Sequence, residues 1–206
     1  YPEKLWGIST KELDANWAPK RVQITEDRRA FYQGQWAAVG IEGSGSILKS
    51  LQEKVTNLGG VISSNETINS VVKNKSTISN ILTSQREISL RPNDLVINTT
   101  SCTVFSKLLG EKTDLKYRGV ILVMLDLTSD KILPEGVDFI YVDDKEIYFN
   151  RISDQNSFIK NPTTNSTIMC CEITYSLDDH YDTMNEDELV AKVKEQFVSL
   201  GLSTED

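Results

Sequence analysis

The chain has 206 residues, of which 39% are hydrophobic and 25% charged, with a net charge of −8. The composition is that of an ordinary folded protein. The acidic balance excludes the clustered basic face of a nucleic-acid binder, and no apolar run approaches the roughly 18 residues of a membrane span. The length allows one large or two small domains. Cys102, Cys170 and the adjacent Cys171 give no disulfide framework. With no signal peptide in view, they point to a reducing, cytoplasmic location. The opening Tyr-Pro-Glu-Lys-Leu-Trp reads as the interior of a longer protein.

In chain order, residues 1–8 read as extended. Ser9 followed by Glu12 is a capping-box pattern that predicts a helix from about 10 to 20, with Leu13 and Trp17 on one face and Pro19 ending or kinking it. Residues 22–34 read as polar surface, and 35–41, with Trp36, as a strand or buried loop. The stretch 43–62 is the clearest unit. Gly43-Ser44-Gly45-Ser46 leads into a helix whose Ile47, Leu48, Leu51, Val55 and Leu58 make one apolar face, and Gly59-Gly60 stops it. Gly43 and Gly45 would let the helix N-terminus meet a phosphate of a nucleotide or flavin, or they simply cap the helix; without a third glycine the motif decides neither.

Short strands are predicted at 61–63, 67–72, 77–83, 87–90 and 95–98, with Asn74-Lys75-Ser76 as a hairpin turn and a turn at Arg91–Asp94. A helix follows over 101–109, closed by Gly110. Residues 118–127 contain the continuous run Val-Ile-Leu-Val-Met-Leu and read as a central strand. Strands at 137–142, at 146–152 (Ile147, Phe149 and Arg151 on one face) and at 167–175 complete the pattern. A last helix is capped by Asn185, carries the stripe Leu189, Val193, Phe197 and Leu200, and is closed by Gly201. The fold class is α+β, a mostly antiparallel β-sheet with flanking helices.

Two groups could carry chemistry. His180, the one histidine, sits in Asp178-Asp179-His180-Tyr181-Asp182. That run is either a solvated loop or a cation site built from Asp178, Asp179 and Asp182, and it lacks the spacing of a calcium loop. Arg151 and Glu172 lie on separate strand-like segments. If the strands pair, the two face one cleft, where an arginine can grip a phosphate or carboxylate; the alternative is a structural ion pair.

Several segments taken in order resemble flavin-dependent amine oxidoreductases, with UDP-galactopyranose mutase-like and protoporphyrinogen oxidase-like proteins nearest. These are Tyr1-Pro-Glu-Lys-Leu-Trp-Gly, Asn16-Trp17-Ala18-Pro19-Lys20-Arg21-Val22, the Gly43 helix with Gly59-Gly60-Val61-Ile62, Asn93–Thr100, Lys116-Tyr117-Arg118-Gly119-Val120, Phe149-Asn150-Arg151-Ile152 and Cys171-Glu172-Ile173-Thr174-Tyr175. The resemblance implies the substrate-binding region of an FAD/NAD(P)-binding-type flavoprotein, with about 43–110 bordering the FAD domain and about 111–206 forming the substrate-domain sheet. It implies a small-molecule substrate, such as a nucleotide sugar for cell-surface polysaccharide (LPS) synthesis. Arg151 would contact substrate phosphate, with Arg28 nearby. Trp6, Trp17 and Tyr32 would line the cleft, and Glu172 would accompany Arg151. FAD would belong to the full-length parent, since the Gly-x-Gly-x-x-Gly segment that holds its ADP half is not in this sequence. The chain alone would then be inactive, either as a piece of a mutase or oxidoreductase or as a non-catalytic sugar-nucleotide or protein-binding module of the same fold.

Overall fold

The computed structural model describes residues 2–17, 43–129, 132–158, 166–177 and 179–202. The chain divides into two units, residues 1–49 with 118–206, and residues 50–117. The mixture of helices and antiparallel sheets is the expected α+β class.

The first unit is built on a four-stranded antiparallel sheet. Its strands are β4 (Gly119–Leu127), β5 (Phe139–Tyr141), β6 (Arg151–Asp154) and β7 (Thr167–Tyr175), in the order β4-β7-β6-β5. β7 is matched residue for residue over nine pairs with β4, from Gly119 opposite Tyr175 to Leu127 opposite Thr167. Alternation then decides the faces. Val123 and Leu125 of β4, Ile152 of β6 and Met169, Cys171 and Ile173 of β7 point inward. They meet Leu189, Val193 and Phe197 of the helix α5 (Glu186–Ser199), with Phe149 and Ile147 from the loop before β6. Asn185 caps α5 by accepting from the N–H groups of Asp187 and Glu188. Gln196, itself buried, accepts from Tyr148 N at 2.8 Å and donates to Glu146 O at 2.8 Å, tying the helix to that loop.

The core packs on one face of this sheet. On the other, Val120, Leu122 and Met124 are 52%, 55% and 53% exposed. Among the described strands β4 is at the edge, with one exposed apolar face, and the central position predicted from its unbroken apolar run belongs to β7. The segment 146–152 also departs from expectation. Only Arg151 and Ile152 join a strand there, because the carbonyls of Ile147 and Phe149 accept from a lysine ammonium.

Residues 2–8 are not extended. Pro2–Trp6 form a short helix, α1. Proline at the first helical position is pre-set for a helix and loses no hydrogen bond there, but five residues do not hold a helix by propensity alone. Side-chain anchors described below hold it. Of the predicted 10–20 helix, the described residues form a turn and a 3-10 turn, Ala15–Trp17, and Pro19 lies outside the described residues. Ser9 N does donate to Glu12, as a capping box requires, but Asp14 then accepts from Asn16 N in a competing local turn.

In the second unit, β1 (Ile68–Asn74), β2 (Thr77–Thr83) and β3 (Glu87–Ser89) form an antiparallel meander. The β1–β2 turn is Lys75-Ser76, with Lys75 at φ 56°. Helix α3 (Cys102–Leu108) is capped by Ser101 and ends before Gly110, at φ 74°. Helix α2 (Ser44–Asn57), divided between the units at residue 50, forms as expected, but its apolar stripe is exposed, with Leu51 at 55% and, just past the helix, Leu58 at 79%. Segments 61–63 and 95–98 form no ladder, although Leu95-Val96-Ile97 has strand composition. β-propensity reports packing on a sheet, and no described strand pairs with either segment. Within 50–117 no described residue is buried.

The packed and bare faces should respond differently to truncation. Phe197→Ala removes a ring that is 1% exposed and should cost about 3–5 kcal/mol. Leu122→Ala, on the bare face, should cost under about 1 kcal/mol. Urea unfolding followed by circular dichroism measures both.

Candidate functional site on the open sheet face

The register of β6 on β7 places Arg151 opposite Glu172 on the bare face of the sheet. Arg151 Nε and Nη2 both donate to Glu172 Oε1, at 2.8 and 2.5 Å. On the far side of β6, Tyr141 of β5 is opposite Arg151 and Phe139 is opposite Ser153. The Arg151 guanidinium carbon lies 5.8 Å from the centroid of the Phe139 ring, a cation–π distance. On the other flank, Leu122 and Met124 of β4 are opposite Glu172 and Cys170. Two cross-strand rows result: Tyr141, Arg151, Glu172, Leu122, and beside them Phe139, Ser153, Cys170, Met124. Burial works against the Arg151 charge, but the hydrogen bond and charge of Glu172, helped by Tyr141, outweigh it and raise its pKa above the ordinary value. Cys170 is buried between these groups, and burial together with the Glu172 charge raises its thiol. Cys171 points to the opposite face, where burial pushes it up to about 12. Neither thiol is poised as a nucleophile.

Such a half-exposed ion pair contributes on the order of 1 kcal/mol. Each fully buried core side chain contributes about 1.5–3 kcal/mol. The sheet therefore does not depend on the pair, whose side chains keep 39% and 17% exposure. The arrangement can hold an anion on the guanidinium and an apolar or ring-shaped group on Phe139, Tyr141, Leu122 and Met124.

Helix α1 borders this face. Thr174 shares the Glu172 side of β7, two residues further along, and its Oγ1 donates to Lys4 O at 2.6 Å. Lys4 Nζ donates to three carbonyls of the loop before β6: Asp144 at 2.9 Å, Ile147 at 2.8 Å and Phe149 at 2.7 Å. Glu3 accepts from Lys145 at 2.6 Å, and that contact first of all holds its carboxyl below the usual range. Arg118, just before β4, donates through Nη2 to Lys4 O and Thr174 O and through Nη1 to Ser176 Oγ. Its guanidinium lies against Gly7. A Cβ there would come within 2.5 Å of Nη1, and the φ of +66° is itself unfavourable for a side chain. Gly119 makes similar room for the Tyr175 ring. The quoted segments around Lys4, Arg118, Phe149 and Glu172 thus meet in one place. Lys4 and Arg118 were not singled out from the sequence; the glycines Gly7 and Gly119 in those segments were the available signal of a close approach. Phe139 and Tyr141 were missed too; their i, i+2 spacing in a predicted strand was the available signal.

The remaining expected residues fall as follows. Trp6 lies on α1 and is 41% exposed. Trp17 ends the 3-10 turn, and only its backbone is described. Arg28, Tyr32, the 35–41 segment and Asp178 lie outside the described residues. His180 begins a short helix, α4 (His180–Thr183), and Asp179 is occupied as its N-cap, accepting from Tyr181 N and Asp182 N. Among the described residues, no group of three or more potential ligands gathers for a metal ion. Gly43 precedes α2 at φ +86°, yet a Cβ on Gly43 or Gly45 would meet nothing within 4 Å. A dinucleotide cradle needs glycine because phosphate and strand come close to the backbone. No described element comes that close to either glycine.

An α+β protein with an arginine paired to a glutamate on one face of an antiparallel sheet is the class these features define. A family model described as GLF, UDP-galactopyranose mutase, matches residues 1–199, so the chain belongs to the UDP-galactopyranose mutase family. Comparisons with curated proteins and with solved structures returned no match. No helix among the described residues is long and apolar enough to cross a membrane.

The α1 anchor can be tested through Lys4. Burial lowers its pKa to about 8, with the Asp144 charge opposing. The unfolded chain holds that proton up to about 10.4. The cost of burying the ammonium is therefore present in full below pH 8 and is relieved as pH rises through 8 toward 10. Lys4→Met leaves three carbonyls without their donor and should lower the melting temperature at pH 7. The gap to wild type should widen between pH 8 and 9.5, as read by thermal melts of both proteins.

Proposed function

We propose that this chain is the substrate-binding region of a UDP-galactopyranose mutase-like enzyme. It would hold a nucleotide sugar on the open sheet face, with Arg151 on the diphosphate and the Phe139–Tyr141 edge against a ring. The observation that carries the reading is the half-exposed Arg151, aimed from the unpacked face of the sheet and stacked on Phe139. Family membership supports the substrate class. Diphosphate recognition suits arginine because its planar fork makes two parallel hydrogen bonds to phosphate oxygens. Leu122 and Met124 exclude water on the β4 side, and α1, carrying Trp6, bounds the face beyond Thr174.

The family's enzymes depend on FAD, which supports FAD in the full-length parent. When bound, the flavin supplies the chemistry of sugar-ring isomerisation, and the residues named here supply charge and orientation. The finer reading is an isomerase of cell-surface polysaccharide (LPS) synthesis working in the cytoplasm. The three free cysteines favour that reducing compartment. An oxidoreductase on the same scaffold would use the face to position a different substrate. A second reading is a non-catalytic sugar-nucleotide or protein-binding module; the open space around Gly43 and Gly45, where no described element approaches, is compatible with it. The visible absorbance spectrum of the full-length parent separates the two: flavin bands that shift on addition of a UDP-sugar support the enzyme, and a folded parent without flavin supports the module.

The test is calorimetric titration of the protein with UDP. Wild type should bind, Arg151→Ala should weaken binding at least tenfold, and Arg151→Lys should restore only part of it. An Arg151→Ala protein that binds UDP as wild type does would refute the reading.

A further inference from the structure

The side-on edge of the Arg151 guanidinium, formed by Nε and Nη2, is the edge suited to a bidentate grip on a phosphate. In this structure both of its donors converge on one oxygen of Glu172. Tyr141, the cross-strand neighbour of Arg151 on β5, also hydrogen-bonds it. The other cross-strand neighbours in the two rows, Leu122, Met124, Phe139, Ser153 and Cys170, carry no charge. Within these rows one positive charge is balanced by one negative charge, and an incoming diphosphate meets a neutral patch whose best donors are already in use.

We propose that Glu172 is an internal occupant of the anion site. It holds Arg151 by its side-on edge in the free protein, competes with the ligand's phosphate for that edge, and thereby sets the affinity of the site. The proposal rests on the reading that Arg151 meets the substrate's phosphates. Glu172 acts through Arg151 and is a positioning residue. Its carboxylate both pre-orients the guanidinium and keeps small anions such as inorganic phosphate from occupying the face. A nucleotide sugar overcomes the competition because its rings add contacts on Phe139, Tyr141 and Leu122 that a free anion lacks. Removing the carboxylate charge should therefore help inorganic pyrophosphate more than it helps a UDP-sugar.

The experiment titrates inorganic pyrophosphate and UDP-galactose into wild type, Glu172→Gln, Arg151→Ala and the Arg151→Ala/Glu172→Gln double variant, with far-UV circular dichroism confirming the fold. Glu172→Gln should bind pyrophosphate at least tenfold more tightly than wild type, with a steeper salt dependence, and UDP-galactose by a smaller factor. The double variant should bind no better than Arg151→Ala, which separates release of Arg151 from a mere change of net charge. Should Glu172→Gln fail to fold, Glu172→Ala serves the same comparison. Unchanged or weaker pyrophosphate binding by Glu172→Gln, while Arg151→Ala abolishes UDP-galactose binding, would overturn the proposal and leave the substrate reading standing. A gain in the double variant equal to that in Glu172→Gln would also overturn it. Normal binding of both ligands by Arg151→Ala would overturn both.

Discussion

Everything in the first unit follows from the register of β7. It lies between β4 and β6, paired with β4 over its whole length. Because side chains alternate with period two, a slip of one residue would carry Glu172 into the core and turn Met169, Cys171 and Ile173 out to solvent. The apolar demand of α5 on one side forbids that slip. The same demand, acting through β7, puts Arg151 and Glu172 opposite each other on the other side, away from the core. The face that carries Arg151 and Glu172 is thus a consequence of how the core is satisfied.

The grip of α1 shows how segments with little meaning singly acquire it together. Lys4 takes its three acceptors from the loop before β6, while Lys4 O receives donors from Arg118, before β4, and Thr174, on β7. One lysine and its carbonyl therefore connect three parts of the sheet on the side of the Arg151–Glu172 row. Gly7 is required because the guanidinium of Arg118 occupies the space of its side chain. This packing fixes both the loop that leads into Arg151 and the helix that presents Trp6. It gives a physical reason why the Glu3-Lys4 and Arg118-Gly119 pairs appear in segments that also carry the family resemblance.

Much of this was legible in the sequence where a signal is local. The limits of β2 and β7, the Asn185 cap and the stripe of α5 are set by period, turn chemistry and capping, all written within a few residues. The two faces of β7 followed from alternation, and the Arg151–Glu172 pairing was expected on condition that their strands meet. What depends on partners distant in sequence was not legible. β4 reads as central because its outer residues are apolar, and composition does not reveal that they stay bare. Leu95-Val96-Ile97 has strand composition, but a strand exists only with a ladder to join. α1 reads as extended because its anchors lie some 140 residues away. Arg118 escaped notice because its partners are carbonyls and a hydroxyl, which leave no charge pattern to read.

The most direct measurement uses the three methionines. Met124 lies on the open face, whereas Met169 is buried on the opposite face and Met184 packs against the core. With the methionine methyl groups labelled with carbon-13, NMR spectra recorded during titration with UDP report the faces separately. The account predicts that the Met124 resonance moves in step with binding while those of Met169 and Met184 stay in place. Saturable UDP binding that leaves Met124 unmoved would contradict it and place the ligand elsewhere on the chain.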